Sequence, residues 1–184
     1  MAILKIAQLG HPILQKKASL VEDIKSIEIR KLINDMSETM IEYDGIGLAA
    51  PQVHVNKQIL IYRNLETQEE NNQKIEIRVL INPKINKASD ETENDWEGCL
   101  SIPGMSGLVK RYKNISYEAY DITGKLIKSN ASNLEARIIQ HEFDHLMGIV
   151  YTNKLVDVRA FGYSKEIEKY WKEKKIIKNA LNLK

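Results

Sequence analysis

The chain has 184 residues, of which 43% are hydrophobic and 28% charged, a composition typical of a globular protein with a single core. The net charge of +2 gives no strong overall field, and no apolar run approaches the ~18 residues of a membrane span, so we expect neither DNA nor a membrane as partner. The single cysteine, Cys99, excludes a disulfide framework, and nothing resembles a signal peptide. We therefore expect one cytoplasmic domain over residues 1–184.

The first predicted helix runs from Ser26 to Tyr43. Between these residues the apolar side chains recur every three or four positions, which places them on one face of a helix. Asp44 and Gly45 follow and should end the helix. The preceding residues, 1–21, are predicted to be extended chain and turns.

The middle of the chain is predicted to form strands. Two short runs rich in β-branched residues cover Gln58 to Tyr62 and Val79 to Asn82, and Pro83 should end the second run because proline cannot donate to a strand ladder. Apolar and polar residues alternate over 115–119. The turn sequence Asp121-Ile122-Thr123-Gly124 then predicts a hairpin.

Two further helices are predicted towards the C-terminus. Ser132 and Glu135 match a capping box at the start of the first, and Gly148 is a suitable residue to follow its end. The second should span Ser164 to Leu181. Because the strands are grouped between helices, we predict an α+β fold: small antiparallel or mixed sheets packed around a central helix, with an N-terminal and a C-terminal helix.

The predicted central helix contains the motif H-E-x-x-H. His141 and His145 are one helical turn apart, so both imidazoles can reach one metal ion, and Glu142 lies beside them as a candidate general base. A single histidine on an apolar stripe is usually a hydrogen-bonded core residue. Burying two histidines and a glutamate in a core is costly unless each has a polar partner, and a metal ion would be such a partner. The motif therefore predicts a catalytic metal site.

The third protein ligand is not fixed by this motif. Catalytic metal sites usually have three protein ligands, and proteases of the H-E-x-x-H type take the third downstream. No histidine follows His145, and the acidic residues that do match no protease pattern: Asp157, Glu166, Glu168 and Glu173. Cys99 is the upstream candidate, although a lone cysteine is more often a small buried hydrophobe.

Three short blocks together carry a resemblance to a known family. They are Gly45-Ile46-Gly47-Leu48-Ala49-Ala50-Pro51-Gln52, Glu97-Gly98-Cys99-Leu100-Ser101 and Gln140-His141-Glu142-Phe143-Asp144-His145. In order and spacing they resemble the motifs of peptide deformylase, in its bacterial form with a long C-terminal helix. The resemblance implies a metal-dependent hydrolase that removes the N-formyl group from the N-terminal methionine of newly synthesised proteins and releases formate.

The resemblance also implies a role for each motif residue. Three ligands and a water would surround the metal, the ligands being Cys99, His141 and His145. Glu142 would take a proton from that water and pass it to the leaving amine. Gln52 and the backbone N–H of Leu100 would hold the formyl oxygen as charge develops on it.

The substrate would lie as an added strand against the first motif. Gly45, Ile46 and Gly47 form this segment, and the absence of Cβ atoms on the glycines allows a peptide backbone to approach. The methionine side chain would enter an apolar pocket. Its expected walls are Ile46, Leu134, Ile138 and His141.

The metal and the partners follow from the same resemblance. Fe²⁺ is the implied physiological ion, with Zn²⁺, Ni²⁺ or Co²⁺ as substitutes, and nitrogen and sulfur ligands accept all four. The implied partners are N-formylmethionyl nascent peptides. The C-terminal helix carries seven lysines between Ser164 and Lys184 and could dock on ribosomal RNA, although most basic helix faces are only solvated.

Two other functions fit parts of the sequence. A metalloprotease that cuts internal peptide bonds would share H-E-x-x-H, but it predicts a downstream third ligand. A ribosome- or RNA-binding domain with a structural metal predicts four protein ligands, because structural zinc sites are closed. The strong candidates number three, which favours an enzyme with an open position.

Overall fold

The protein was analysed as a computed structural model that describes residues 2–64 and 76–171. Within these ranges three helices are found: α1 (Ile27–Glu42), α2 (Asn133–Leu146) and α3 (Ser164–Tyr170). The strands there are β1 (Gly47–Ala49), β2 (Ile59–Arg63), β3 (Ile77–Ala88), β4 (Thr92–Cys99), β5 (Ile102–Tyr112), β6 (Asn114–Tyr120), β7 (Leu126–Ser132) and β8 (Phe161–Tyr163). Short 3₁₀ helices cover Pro12–Gln15, Ala50–Val53 and Tyr151–Lys154.

The strands form two antiparallel sheets. One has five strands in the order β1-β2-β3-β6-β7, and the other has three in the order β4-β5-β8. Helix α2 contacts strands of both sheets, so it lies between them. The predicted α+β fold around a central H-E-x-x-H helix is therefore confirmed, with antiparallel sheets.

Helix α1 covers the five-stranded sheet near β1. The side chain of Ser26 accepts a hydrogen bond from the N–H of Ile29 and caps the helix start. Met36 and Met40 are fully buried in a core that includes residues of β1 and β2. At the other end the N–H of Gly45 donates to the carbonyl of Met40 at 2.8 Å. The predicted helix is confirmed, and its end leads directly into β1.

The predicted end of the β3 strand at Pro83 is wrong. The strand continues to Ala88, and the pairing register with β6 shifts between Ile81 and Lys84. Asn82 has a φ of 50°, and its side-chain amide exchanges two hydrogen bonds of 2.9 Å with the backbone of Val21. A proline is tolerated at such a bulge because no ladder hydrogen bond is needed from it.

The predicted capping box of α2 is also wrong, although the helix is present. The side chain of Ser132 makes no capping hydrogen bond. Glu135 instead accepts a 2.9 Å hydrogen bond from the hydroxyl of Tyr62 on β2, which draws it towards the sheet. At the other end Gly148 has a φ of +74° and follows the last helical turn, as predicted.

Helix α3 begins at Ser164, where the C-terminal helix was predicted. Ile167 is buried, and the ring of Trp171 meets that of Trp96 edge to face at 6.3 Å. The remainder of the predicted helix, to Leu181, lies outside the described residues. None of the helices in the described ranges is long and apolar enough to cross a membrane.

Candidate metal centre and substrate cleft

Three candidate ligands from two elements meet beside the central helix. His141 and His145 project from successive turns of α2, with ring centroids 5.1 Å apart. Cys99 ends β4, where a register shift after Gly98 breaks the regular pairing with β5. Its Sγ lies 3.3 Å from Nε2 of His145. The ligand atoms of the three residues all lie within 4.8 Å of one another.

This group fits a divalent metal ion. One thiolate and two imidazoles are three protein ligands, which leaves a coordination position for water or substrate. Oε2 of Glu142 is buried next to the group and has no hydrogen-bond partner among the described residues. Such an uncompensated buried carboxylate oxygen needs a polar partner, which an ion with its water would provide.

A buried carboxylate holds one of the candidate ligands. Oε2 of Glu97 lies 2.9 Å from Nδ1 of His141, so Nε2 of the ring remains available for a metal. Arg111 contacts both carboxylate oxygens of Glu97 at 2.9 Å, and Arg137 donates to it at 2.7 Å. Burial raises the pKa of Glu97, but hydrogen bonds from His141 and Arg111 outweigh burial and hold it well below its usual range.

The arginine of this network also reaches the central helix. Arg111 forms a short hydrogen bond to Asp144, which in turn accepts one from Lys154 at 2.9 Å. Glu97, Arg111 and Asp144 were not predicted as parts of the site. Glu97 and Asp144 both lie inside the motifs, so the available signal was a carboxylate within two residues of a candidate ligand.

Glu142 lies against the first motif. An ideal Cβ at Gly47 would be 2.9 Å from Cδ of Glu142, so only glycine allows the carboxylate to approach β1 this closely. At Gly45 an added Cβ would be 2.9 Å from Cδ1 of Leu100. Burial raises the pKa of Glu142 to about 7. Gly47 therefore has a packing role in addition to the predicted role in substrate approach.

Gln52 is oriented towards the candidate ligands. Its Oε1 accepts a hydrogen bond from the N–H of Ala49 at 2.8 Å, which fixes the amide. Its Nε2 then lies 3.4 Å from Sγ of Cys99 and 3.3 Å from Oγ of Ser101. The donor end of the amide consequently faces the candidate metal position.

A cleft of about 1040 Å³ opens onto this group. It is lined by nearly all the predicted site residues: Gly45, Ile46, Gly47, Gln52, Cys99, Leu100, Leu134, Ile138, His141 and Glu142. His145 does not line the cleft and is fully buried behind it. Strand β1 forms the edge of its sheet, so among the described residues one side of it pairs with no other strand.

The polypeptide deformylase family model matches residues 3–160. The chain belongs to the peptide deformylase family. It is similar to peptide deformylase 1 of Bordetella pertussis, with 43% identity over 162 residues that cover 86% of this chain and 91% of that protein. It is 46% identical to peptide deformylase of Symbiobacterium thermophilum over 159 residues, which cover 86% and 70% of the two chains.

The solved structures that this chain resembles are also peptide deformylases. The Acinetobacter baumannii class I type b peptide deformylase bound to Met-Ala-Ser has a TM-score of 0.76 and 31% identity, with 84% of this chain and 99% of that chain covered. Peptide deformylase from Thermotoga maritima has a TM-score of 0.76 and 32% identity, with coverage of 85% and 100%. The chain is therefore a hydrolase that removes the N-formyl group from formylmethionyl peptides.

Proposed function

We propose that the chain deformylates nascent proteins at a divalent metal held by Cys99, His141 and His145. The observation that carries this proposal is the convergence of the three ligand atoms beside a buried, unpartnered oxygen of Glu142. A metal bound there would supply Lewis acidity and lower the pKa of a coordinated water. The donor set accepts Fe²⁺, Zn²⁺, Ni²⁺ or Co²⁺, and the family resemblance supports Fe²⁺ as the physiological ion.

Glu142 is the general base and then the general acid. An Oε atom takes a proton from the attacking water and delivers it to the amine nitrogen that leaves the formyl carbon. Two observations support this role: Oε2 has no hydrogen-bond partner among the described residues, and burial raises the pKa of the carboxyl to about 7. A group with a pKa near the working pH can both accept and return a proton.

The formyl oxygen is held by two donors. Nε2 of Gln52 and the backbone N–H of Leu100 would stabilise the negative charge that forms on this oxygen, each contributing about 3 kcal/mol. The bond from Ala49 to Oε1 of Gln52 supports the assignment, because it turns the amide nitrogen towards Cys99. An amide donates without adding a charge of its own.

The peptide pairs with the start of β1 and the two residues before it, and places its methionine in an apolar pocket. Gly45, Ile46 and Gly47 supply the pairing segment. Leu134 and Ile138 line the same cleft from α2, together with His141. Binding of Met-Ala-Ser by the Acinetobacter baumannii relative supports methionine as the first residue.

We further infer the cellular setting of this activity. Residues 1–184 would form one catalytic domain acting in the bacterial cytoplasm, where formylated chains emerge from ribosomes. Lys165 and Lys169 begin the basic C-terminal segment that would dock on the ribosome. Cosedimentation with ribosomes at increasing salt tests the docking, because phosphate contacts weaken as salt rises.

One preparation can test the activity and the metal together. The protein is purified without oxygen, its metal content is measured, and the same sample is assayed on formyl-Met-Ala-Ser and on acetyl-Met-Ala-Ser. We expect release of formate in proportion to bound iron and no cleavage of the acetylated peptide. Cleavage at an internal peptide bond would instead indicate a protease.

A further inference from the structure

A second group of polar side chains lines the cleft and has no part in the proposed reaction. It consists of Lys5, His11 and His54, called here the basic edge. The N–H of Ala7 donates to the carbonyl of Gln52 at 2.7 Å, which brings the N-terminal segment alongside the oxyanion donor. His54 directly follows the 3₁₀ helix that contains Gln52. The basic edge therefore borders the cleft on its Gln52 side.

The two histidine rings are packed against each other, and the ring of His11 presents a hydrogen-bond donor. Their centroids are 4.6 Å apart, with an edge-to-face angle of 84°. Nδ1 of His11 accepts a hydrogen bond from the N–H of Ile13, so the neutral ring carries its proton on Nε2. A ring with this proton arrangement offers a hydrogen-bond donor and no free lone pair. His11 is thus suited to an anion and poorly suited to a metal cation.

The backbone of His54 has an unfavourable conformation. Its φ is +65°, in the left-handed region where a residue with a Cβ is sterically disfavoured. Its side chain is exposed, so burial of the ring does not account for a histidine at this position. Non-glycine residues in strained conformations cluster at ligand-binding sites.

No carboxylate pairs with the basic edge within the part of the chain that the structure describes. Asp44 pairs with Arg63, and Glu97 is surrounded by arginines. Glu142 lies beside the candidate metal ligands, against Gly47. Partial loss of solvent around the ring, followed by the nearby charges of His11 and Lys5, lowers the pKa of His54 and favours its neutral form. The edge therefore has imidazole donors and the positive charge of Lys5, with no carboxylate paired to them among the described residues.

We propose that Lys5, His11 and His54 form a carboxylate-binding subsite of the cleft. The proposal rests on the proposed function, because both available carboxylates come from that reaction. One is formate, the product, which would be released on the Gln52 side of the cleft, next to the basic edge. The other is an acidic side chain of the peptide substrate. The ammonium of Lys5 would recognise either carboxylate by a charge-assisted hydrogen bond, and the imidazole N–H groups would add further donors.

Histidine NMR on the zinc-loaded protein tests binding directly. The chain has four histidines, and substitution of His11 by Gln and of His54 by Asn assigns two of them. Asparagine is a suitable replacement because it tolerates a positive φ. Sodium formate is compared with sodium chloride at equal ionic strength. Amidated Met-Ala-Glu is compared with amidated Met-Ala-Gln.

We expect one carboxylate probe to shift the His11 and His54 signals saturably. In a Lys5→Gln/His54→Asn variant its dissociation constant should rise about fivefold or more, the size of an exposed charge contact. A shift with formate alone identifies the product, and a shift with Met-Ala-Glu alone identifies a substrate side chain. Lys87→Gln, an exposed lysine outside the cleft, should leave binding unchanged.

Two results would overturn the subsite. One is the absence of any carboxylate-dependent shift, and the other is equal binding by wild type and the double variant. Turnover of formyl-Met-Ala-Ser is measured on the same samples. If the wild type does not turn over formyl-Met-Ala-Ser, the proposed function is contradicted. If turnover is normal but no carboxylate shifts the histidine signals, only the subsite is contradicted.

Discussion

Nδ1 of His141 lies 2.9 Å from Oε2 of Glu97, so a buried carboxylate fixes the orientation of a candidate metal ligand. The same carboxylate also compensates two buried arginines, Arg111 and Arg137. Ligand orientation and the stability of the protein interior therefore depend on one side chain.

Glu97→Gln should lower both the stability of the protein and its affinity for the metal. Breaking a buried ion pair by removing one partner costs about 3 kcal/mol or more, and loss of a partner behind a ligating histidine lowers metal affinity roughly 10- to 100-fold. Urea unfolding and competition for zinc with a chelator measure the two effects. Glu91→Gln, which removes an exposed ion pair with Lys113, should change neither; equal effects of the two variants would contradict the role of Glu97.

The stability of the wild type should fall in acid through Glu97. Burial raises the pKa of this carboxyl, but hydrogen bonds from His141 and Arg111 lower it below the ordinary value of 4.5. Because the pKa of Glu97 is lower in the folded state than in the unfolded state, its ionised form stabilises the fold. This stabilisation is complete above pH 4.5 and is lost as the pH falls through the folded-state pKa. Unfolding free energies between neutral and acid pH, with chelator present, should decline more steeply for wild type than for Glu97→Gln. Parallel curves would refute this.

Glu142→Gln should retain the metal and lose most activity. A general acid–base group typically contributes 10²- to 10⁴-fold, and glutamine cannot accept the proton. Metal content and kcat on formyl-Met-Ala-Ser are measured on one preparation. Glu135→Gln changes a carboxylate on the same helix that does not line the cleft, and it should keep its activity. Near-normal turnover of Glu142→Gln would remove it as the base.

Gly47→Ala should reduce activity by displacing Glu142. The new Cβ would lie 2.9 Å from Cδ of the carboxylate, so the side chain must move. Moving a catalytic group by about 1 Å can cost roughly 10²-fold in rate. At Gly162 an added Cβ meets only Cδ1 of Ile167 at 3.8 Å, so Gly162→Ala is the matched control. Comparable kcat/KM values for the two variants would exclude the steric account.

Cys99→Ala should release the metal. The thiolate is the one sulfur donor in the candidate ligand group, and two imidazoles alone bind divalent ions less tightly. Metal analysis after dialysis should show a sharp fall relative to wild type, and the thiolate absorption of a cobalt-loaded sample should disappear. If stoichiometric cobalt and its absorption both survive, the third ligand lies elsewhere.

Local patterns in the sequence predicted the helices and the histidine pair. The spacing of apolar residues identifies α1, and the four-residue spacing of His141 and His145 is itself a helical contact, so no distant residue is needed. Cys99 lies more than forty positions from His145. The missing downstream ligand made it a candidate, and the resemblance of the motifs then placed it in the ligand group.

The errors and omissions all involve residues distant in the chain. Glu135 was expected to cap its own helix, but Tyr62 on β2 binds it instead. Pro83 does not end its strand, because contacts of the neighbouring Asn82 with Val21 support a bulge there. These interactions depend on how distant segments pack, which hydrophobic periodicity does not report.

The candidate ligands come from separate layers of the fold. Cys99 belongs to the three-stranded sheet, whereas His141 and His145 belong to the helix that also packs on the five-stranded sheet. A metal bound by all three would be a cross-link between these layers, closing a loop of chain much as a disulfide does. Binding energy would then become folding energy. Loss of the ion through the cleft would remove this cross-link, so occupancy of the site and the cohesion of the two layers would vary together.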